Sequence, residues 1–266
     1  MRLEARSRQP AKIWSSDSTL ELSHFTVRRP FPLHFHLEAI VAVIVEGAEV
    51  IVVNGRREIA EVGTIVVLEP ECAHWNEPIG TRGVRYRGFY ISSDLLPGRD
   101  RDGALSKHII RDRRLAADLT ELHQSLERHP FSPASADART VVLTAFGLAA
   151  RASVARSLPA EMRQVARTLQ DRCTERLAWL ELAGAVGGSA AHLARRFTRH
   201  FGIPPHQFQI QHRIALAKRL IREHLSLAAV AFDCGLTDQS HLTNQFARYV
   251  GLSPGAFAHA QDSTRP

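Results

Sequence analysis

The feature of the sequence that most constrains the fold is a helical pattern that occurs twice in the last third of the chain. The same residue types recur in the same order, at Ala183, Gly187, Leu193, Phe197, Gly202, Pro205 and Phe208 and again at Ala231, Gly235, Leu242, Phe246, Gly251, Pro254 and Phe257. In each copy the small Ala allows two helices to approach closely, the first Gly makes a turn, and Leu and Phe bury one face of the second helix. The repeat predicts two related helix-turn-helix units, although a duplicated helical pair need not bind DNA.

The second helix of the second copy combines an apolar face with a polar one. Asp238 can cap its first N–H groups, and Leu242 and Phe246 recur at helical spacing. The opposite side is centred on Ser240 and Asn244. Such side chains can hydrogen-bond to base edges or to phosphates, so we interpret this helix as a DNA-reading helix.

The last hundred residues resemble the C-terminal DNA-binding region of the AraC/XylS family of bacterial transcription regulators. The resemblance rests on GLTDQSHLTNQFARYVGLSPGAF and on its upstream counterpart GGSAAHLARRFTRHFGIPPHQF. It implies an all-α domain over residues 160–259, in which a long helix, about Pro205 to Glu223, joins the two units. Each unit would place its second helix in the major groove of double-stranded promoter DNA.

The resemblance also implies which residues face the DNA. The base-facing positions are Ala191, Ala194 and Arg195 in the first unit and Gln239, Ser240, His241 and Asn244 in the second. Arg199, four residues after Arg195, and Arg248 are expected to contribute to the DNA-facing surface as well, although surface arginines are often simply solvated. The family usually has Arg at the position of Asn244, and a neutral amide favours adenine over guanine.

Charge is consistent with a polyanionic partner. The 266 residues have a formal net charge of +7. From Ala160 onward there are 13 Lys and Arg against 8 Asp and Glu, so the excess lies in the part that carries the repeat, as phosphate contacts require.

The first half of the chain reads as β-structure from about residue 20 to 91, with short Val- and Ile-rich runs bounded by glycines. Asn54-Gly55 between two such runs is a strong hairpin signal, since both turn residues tolerate a positive φ. PLHFHLEAIVAVIVEG and GTIVVLEPECAHWNEP resemble the cupin-like, effector-binding domain that precedes the DNA-binding region in many family members. The predicted fold is therefore α+β and multi-domain, with an N-terminal β-barrel and helical pair over residues 1–156.

Four polar residues in the predicted barrel are candidates for effector binding. On one strand, His34, His36 and Glu38 would project to the same face, and His74 could arrive from a later strand. A divalent metal is an alternative occupant, but the cupin motif needs a Glu four or five residues after the second His, where this chain has Ile40 and Val41. We predict a small-molecule contact or a structural hydrogen bond, with no metal and no cofactor.

Two helices are expected after the barrel, over about residues 112–156. Leu115, Leu119, Leu122 and Leu126 recur at spacings of four, three and four. This stripe fits either a helix pair between two subunits of a homodimer or a helix packed against its own barrel.

Two functional hypotheses follow. The first is a sequence-specific transcription regulator, not an enzyme, that is controlled by a small-molecule effector and contacts RNA polymerase if it is an activator. The second is a metal-dependent cupin enzyme that uses His34, His36 and His74. The charged N-terminus MRLEARSRQP has no apolar run, so we expect no signal peptide and a cytoplasmic location.

Overall fold

The computed structural model of the protein describes residues 12–17, 20–96, 103–105, 107–129, 134–150, 154–155, 158–176, 182–184 and 187–262. The chain divides into two compact units, one of residues 1–31, 37–155 and 260–266 and the other of residues 32–36 and 156–259. Within the described ranges, no helix is long and apolar enough to cross a membrane.

The β-strands form antiparallel sheets, and all of them except β3, which falls almost wholly within residues 32–36, belong to the first unit. They are β1 (Lys12–Asp17), β2 (Leu20–Val27), β3 (Phe31–His34), β4 (Ala39–Glu46), β5 (Ala48–Val53), β6 (Arg56–Glu61), β7 (Ile65–Leu68), β8 (His74–Pro78), β9 (Val84–Ile91), β10 (Gly103–Ala104), β11 (Ile109–Ile110) and β12 (Val154–Ala155). A six-stranded sheet has the order β1-β2-β9-β4-β7-β11, a four-stranded sheet has the order β3-β8-β5-β6, and β10 pairs with β12.

The predicted hairpin is confirmed at Asn54-Gly55. β5 and β6 pair in register from Ala48 with Glu61 to Val53 with Arg56. The two residues between them have positive φ, 52° for Asn54 and 76° for Gly55. Since few residues other than Asn and Gly adopt this geometry at little cost, the turn sets the register of the hairpin.

The six-stranded sheet is buried on both faces at β4, which explains the continuous apolar sequence of this strand. Val41 and Val43 belong to one core cluster together with residues of the helices that follow the sheet. Ile40 and Ile44 point to the opposite face and pack in a second cluster with Ile51 of the four-stranded sheet. Alternate side chains of one strand therefore fill two different cores.

Two helices cover the first of these cores. They are α1 (Arg113–Arg128) and α2 (Ala134–Ala150). Leu119 and Leu126 of α1 are fully buried against the sheet, and Leu115 and Leu122 pack at the edge of the same cluster. These leucines thus pack within the chain, as the intramolecular reading expects, and pairing between subunits stays a prediction.

A buried polar network also fixes α1 to the sheet. Nε2 of His123 lies 3.0 Å from the carbonyl oxygen of Ser23, to which it can donate, and Nδ1 lies 3.1 Å from a guanidinium nitrogen of Arg87. Arg87 also donates to Glu127 at 2.6 Å. Burial, then the charge of Arg87, lowers the pKa of His123 to about 4, so its ring is neutral near pH 7.

The second unit is helical. After α3 (Ala160–Asp171), residues 182–184 are helical, and they are followed by α4 (Ala190–Phe201), α5 (Pro205–Arg222), α6 (Leu227–Asp233), α7 (Gln239–Val250) and α8 (Pro254–Asp262). The predicted connecting helix corresponds to α5, and Glu223 is its C-cap.

The sequence repeat is a repeat of packing. Phe197 of α4 meets Phe208 of α5 edge to face, with ring centroids 5.3 Å apart. Phe246 of α7 meets Phe257 of α8 in the same way at 5.4 Å. Each second helix is therefore anchored by one buried Phe against the Phe that follows its terminal glycine and proline.

Candidate nucleic-acid interface and effector site

The first candidate reading helix, α4, begins at a side-chain cap. Ser189 accepts a hydrogen bond from the backbone N–H of His192 and so satisfies one of the unpaired donors of the first turn. Leu193 and Phe197 are buried. On the opposite side Ala191, Arg195 and Arg199 are exposed, and Ala194 is half-buried beside them.

The second candidate reading helix, α7, has the same construction. Asp238 accepts from the N–H of His241 at 2.7 Å, and Leu242, Phe246 and Tyr249 are buried. The exposed predicted residues are Gln239, Ser240, Asn244 and Arg248.

The two exposed faces correspond position by position. Ala191, Arg195 and Arg199 are spaced by four along α4, and 49 residues later Ser240, Asn244 and Arg248 have the same spacing along α7. Residues spaced by four lie on one side of a helix. Each unit therefore presents one straight ridge of three residues that ends in an arginine.

Two side chains near these ridges have local partners. Nδ1 of His241, a predicted base contact, lies 3.2 Å from Oγ1 of Thr237 and 3.4 Å from its backbone N–H, and His241 is half-buried. The ring therefore helps to hold the turn before α7. Arg196 forms an ion pair with Glu161 of α3 and contributes to packing between α3 and α4.

The turn before α7 requires glycine at position 235. Its φ is +65°, and a Cβ there would lie 2.0 Å from the carbonyl oxygen of Thr174. Both the backbone conformation and the close approach exclude other residues.

Arg213 of α5 is a positioning residue that the sequence analysis missed. Its guanidinium donates to the carbonyl oxygens of Gly235 at 2.6 Å, Cys173 at 2.5 Å and Glu175 at 3.0 Å. It thus links the turn before α7 to the segment after α3. No periodic signal marks it, because its partners lie 22 to 40 residues away.

The predicted effector residues differ in their surroundings. β3 ends at His34, so the expectation that His34, His36 and Glu38 line one face of a strand is wrong; His36 and Glu38 lie in the connection to β4. The rings of His34 and His36 meet edge to face at 4.8 Å. His74 is buried on β8, with Nδ1 2.8 Å from the carbonyl oxygen of Cys72. Joint contact with an effector stays a prediction.

A buried carboxyl group inside the first unit was also missed. Glu49 of β5 is 3% exposed, and Asn76 of β8 donates to it at 2.6 Å. Burial raises the pKa of Glu49 to about 7 despite this hydrogen bond. It shares one side of β5 with Ile51 and Val53, which belong to the core between the two sheets. A carboxyl group with a shifted pKa among apolar walls is typical of ligand sites. Its place in the run Glu49-Val50-Ile51-Val52-Val53 gave no sign of this.

Known proteins match both units. Residues 21–142 match the family described as AraC-like ligand binding domain, and residues 182–260 match the family described as helix-turn-helix domain. The chain is 26% identical to the uncharacterized HTH-type transcriptional regulator YbfI of Bacillus subtilis, over 81% of this chain and 82% of that protein. It is 22% identical to the HTH-type transcriptional activator RhaS of Klebsiella pneumoniae, over 92% of this chain and 94% of that protein.

Solved structures share the two-unit architecture. ToxT from Vibrio cholerae O395 superposes with a TM-score of 0.61 at 10% identity, covering 92% of this chain and 98% of that one. The unsaturated fatty acid bound ToxT of strain SCE256 gives a TM-score of 0.62 at 11% identity, covering 95% and 99%. At such identities the likeness concerns the fold. The predicted family and fold class are confirmed, and the protein is a member of the AraC family, a transcription regulator that combines an AraC-like ligand-binding domain with a helix-turn-helix DNA-binding domain.

Proposed function

We propose that α4 and α7 read two blocks of promoter sequence in successive major grooves. The observation that carries the proposal is the pair of matching exposed ridges, Ala191, Arg195 and Arg199 on α4 and Ser240, Asn244 and Arg248 on α7. Both lie opposite buried faces, so they can enter a groove without disturbing the core. Two units on one chain would recognise blocks about one helical turn of DNA apart.

The side chains suggest a different role for each position. Arg195 can donate two hydrogen bonds to guanine, and the Asn244 amide can pair with adenine. Arg199 and Arg248, in the last turns of their helices, suit phosphate contacts, which fix register without reading sequence. Ala191 and Ala194 offer only apolar contact, for example with a thymine methyl group.

Gln239, Ser240 and His241 belong to the first turn of α7. Gln239 and Ser240 are exposed and suit direct hydrogen bonds to base edges. His241 has one ring nitrogen directed at Thr237, so we assign it a smaller part in base reading. The α7 half of the site would therefore be read by more hydrogen bonds than the α4 half.

The effector would bind in the AraC-like ligand-binding domain, within residues 21–142. A partner with a hydroxyl or amino group suits Glu49, whose carboxyl accepts hydrogen bonds among apolar neighbours. His34, His36, Glu38 and His74 stay the further predicted contacts. To regulate, the effector must bind one state of the protein more tightly than the other.

A homodimer and a contact with RNA polymerase also stay predictions. Leu119 and Leu126 of α1 are buried inside the first unit, so they cannot contribute to a dimer, whereas Leu115 and Leu122 are only partly buried. If the regulator activates transcription, it must also contact RNA polymerase. Analytical ultracentrifugation of the full chain with and without its DNA site measures the number of subunits directly.

Selection of bound sequences from a random DNA pool, repeated at two salt concentrations, tests the proposal. We expect a shared motif of two blocks about one helical turn apart, recovered at both salt concentrations. DNA with no common motif, whose binding collapses at the higher salt concentration, would mean that the basic charge alone binds.

A further inference from the structure

A cluster of metal-ligand residue types lies in the first unit. Glu69 and Cys72 belong to the turn between β7 and β8, and His108 directly precedes β11. Each offers one ligand atom, and the three atoms lie within 4.8 Å of one another. Cys72 is 7% exposed and His108 is 5% exposed.

Backbone hydrogen bonds fix the chain around this cluster. The N–H of Val67 donates to the carbonyl oxygen of His108 at 2.9 Å, and the N–H of Cys72 donates to that of Glu69 at 3.2 Å. The His108 ring is also held, because Nδ1 lies 3.1 Å from the carbonyl oxygen of Val67. A metal-binding imidazole usually donates its other ring N–H to such a partner, so Nε2 would be the ligand atom while Nδ1 keeps its bond to Val67.

The Glu69 carboxylate has one oxygen engaged and one without a hydrogen bond. Oε1 accepts from the N–H of Leu105 at 3.4 Å. Oε2 is buried, lies 3.5 Å from Nδ1 of His108 and has no hydrogen-bond partner among the described groups. A buried carboxylate oxygen without a hydrogen bond costs free energy, and a bound cation would offset that cost.

We propose that Glu69, Cys72 and His108 form a binding site for a divalent metal of the zinc class. Thiolate, imidazole and carboxylate are the three ligand types that zinc takes from proteins. Zinc at about 2.0 to 2.3 Å from each ligand sets the ligand atoms roughly 3.4 to 3.8 Å apart, which small side-chain rotations would achieve here. Three protein ligands leave a fourth position for water or a ligand molecule.

The site would connect two parts of the first unit. Glu69 and Cys72 lie in one turn, and His108 stands five residues before α1 begins. Bound metal would tie the β7–β8 turn to the segment that leads into α1. None of the three residues belongs to the second unit, so loss of the metal site would leave the predicted reading helices unchanged.

The test measures metal bound to the purified full-length protein. The protein is loaded with Zn²⁺, dialysed against metal-free buffer and analysed for zinc per chain. Co²⁺ replaces Zn²⁺ in a parallel sample, because a thiolate bound to Co²⁺ gives an intense near-ultraviolet charge-transfer absorption that nitrogen and oxygen ligands do not give. We expect one equivalent of metal and this absorption.

Variants identify the ligands. Cys72→Ser and His108→Gln should each weaken Zn²⁺ binding by at least about 10- to 100-fold, the loss seen even for outer-sphere partners. Cys72→Ser should also abolish the cobalt–thiolate absorption. Cys173→Ser removes a thiol from the second unit and serves as the matched control. His36→Gln tests whether zinc binds instead in the histidine-rich segment of His34 and His36.

Folding of the variants is checked first, and three outcomes would contradict the metal site. Circular dichroism of the metal-free variants identifies any that fail to fold, and the remaining ligand variant then carries the comparison. Absence of retained zinc in the wild-type protein would overturn the site. So would a cobalt–thiolate absorption that survives Cys72→Ser, or zinc binding that depends on His36 and not on His108.

Discussion

Two adjacent arginines of α4 have different surroundings, and this decides which one can reach DNA. Arg195 is exposed on the ridge opposite Phe197, whereas Arg196 is ion-paired with Glu161. We predict that Arg195→Ala weakens specific DNA binding by about 1 to 3 kcal/mol and relaxes preference at one base pair. Fluorescence anisotropy with the selected site and with single-base variants measures both effects.

Arg196→Ala is the matched control for this change. It removes the same charge one position along the same helix, so a purely electrostatic contribution falls equally in both variants. We expect Arg196→Ala to reduce affinity by a similar small factor for all sequences, without changing base preference. If both variants lose base preference equally, or if neither loses it, the assignment of Arg195 is contradicted.

Asn244 is the corresponding position of the second unit. Its amide can pair with N6 and N7 of adenine, and Arg at this position would favour guanine. We predict that Asn244→Ala relaxes preference at one base pair in the α7 half of the site, and that Asn244→Arg changes it toward guanine. Repeating the sequence selection with each variant tests this, and an unchanged motif from both would remove Asn244 from the reading residues.

Periodicity predicted the exposed and buried faces of α4 and α7 but not the polar partners of single residues. Leu193, Phe197 and Asn244 lie where helical spacing puts them. The bond from Arg196 to Glu161 spans 35 positions, and the direction of Glu49 depends on pairing between β5 and β8. Such contacts depend on tertiary structure, about which local sequence carries no signal.

Among the helices, α7 depends on one aromatic contact. Phe246 is fully buried and packs against Phe257. We predict that Phe246→Ala lowers the free energy of unfolding of the second unit by about 3 to 5 kcal/mol, the cost of deleting a buried aromatic ring. Denaturant unfolding measures the loss of unfolding free energy, and amide exchange of α6 and α7 shows whether it is confined to these helices.

Phe232 offers a control in the neighbouring helix. It is 84% exposed, so Phe232→Ala deletes the same atoms without creating a cavity. We expect a change within about 0.5 kcal/mol, as for most surface substitutions. If both variants unfold at the same denaturant concentration as the wild type, the Phe246 contact does not stabilise α7.

For the strands, turn chemistry predicted the structure better than alternation did. Asn54-Gly55 gave the hairpin correctly because its backbone preference is local. Alternation failed at His34, His36 and Glu38, because β3 ends at His34 and the chain turns toward β4. A pattern of period two indicates a strand but does not indicate where hydrogen bonding to a neighbour stops.

Stability as a whole depends on pH through buried groups of the first unit. Burial lowers the pKa of His123 from its ordinary value of 6.5 to about 4 in the folded state. Below pH 6.5 the unfolded chain therefore takes up a proton that the folded chain does not. We predict that this residue costs up to about 3 kcal/mol of stability as the pH falls from 6.5 to 4.

His123→Gln tests the prediction, because glutamine has no proton to gain in this range. Wild type should lose stability relative to the variant as the pH falls from 6.5 to 4, measured by amide exchange of β4 and β9. A constant difference over that range would mean that the folded His123 titrates normally.

Glu49 changes stability in the opposite direction. Burial raises its pKa from 4.5 to about 7, so between these values the folded chain holds a proton that the unfolded chain has lost. Its contribution is complete below pH 4.5 and is lost as the pH rises through 7, by up to about 3 kcal/mol. Glu49→Gln keeps an uncharged side chain at every pH. We therefore expect wild type to lose stability relative to this variant between pH 4.5 and 7.5, measured by the same exchange experiment.

The two substitutions separate effects that offset each other in the wild-type protein. Because the His123 contribution falls toward acid and the Glu49 contribution falls toward base, the wild-type profile alone can be nearly flat near pH 6. The double variant His123→Gln/Glu49→Gln should then be flat for a different reason, since both titrations are gone. If the stability of Glu49→Gln instead changes with pH in the same way as that of the wild type, the Glu49 carboxyl is already ionised in the folded protein over this range. An ionised Glu49 would favour a cationic effector over one that contributes only a hydroxyl group.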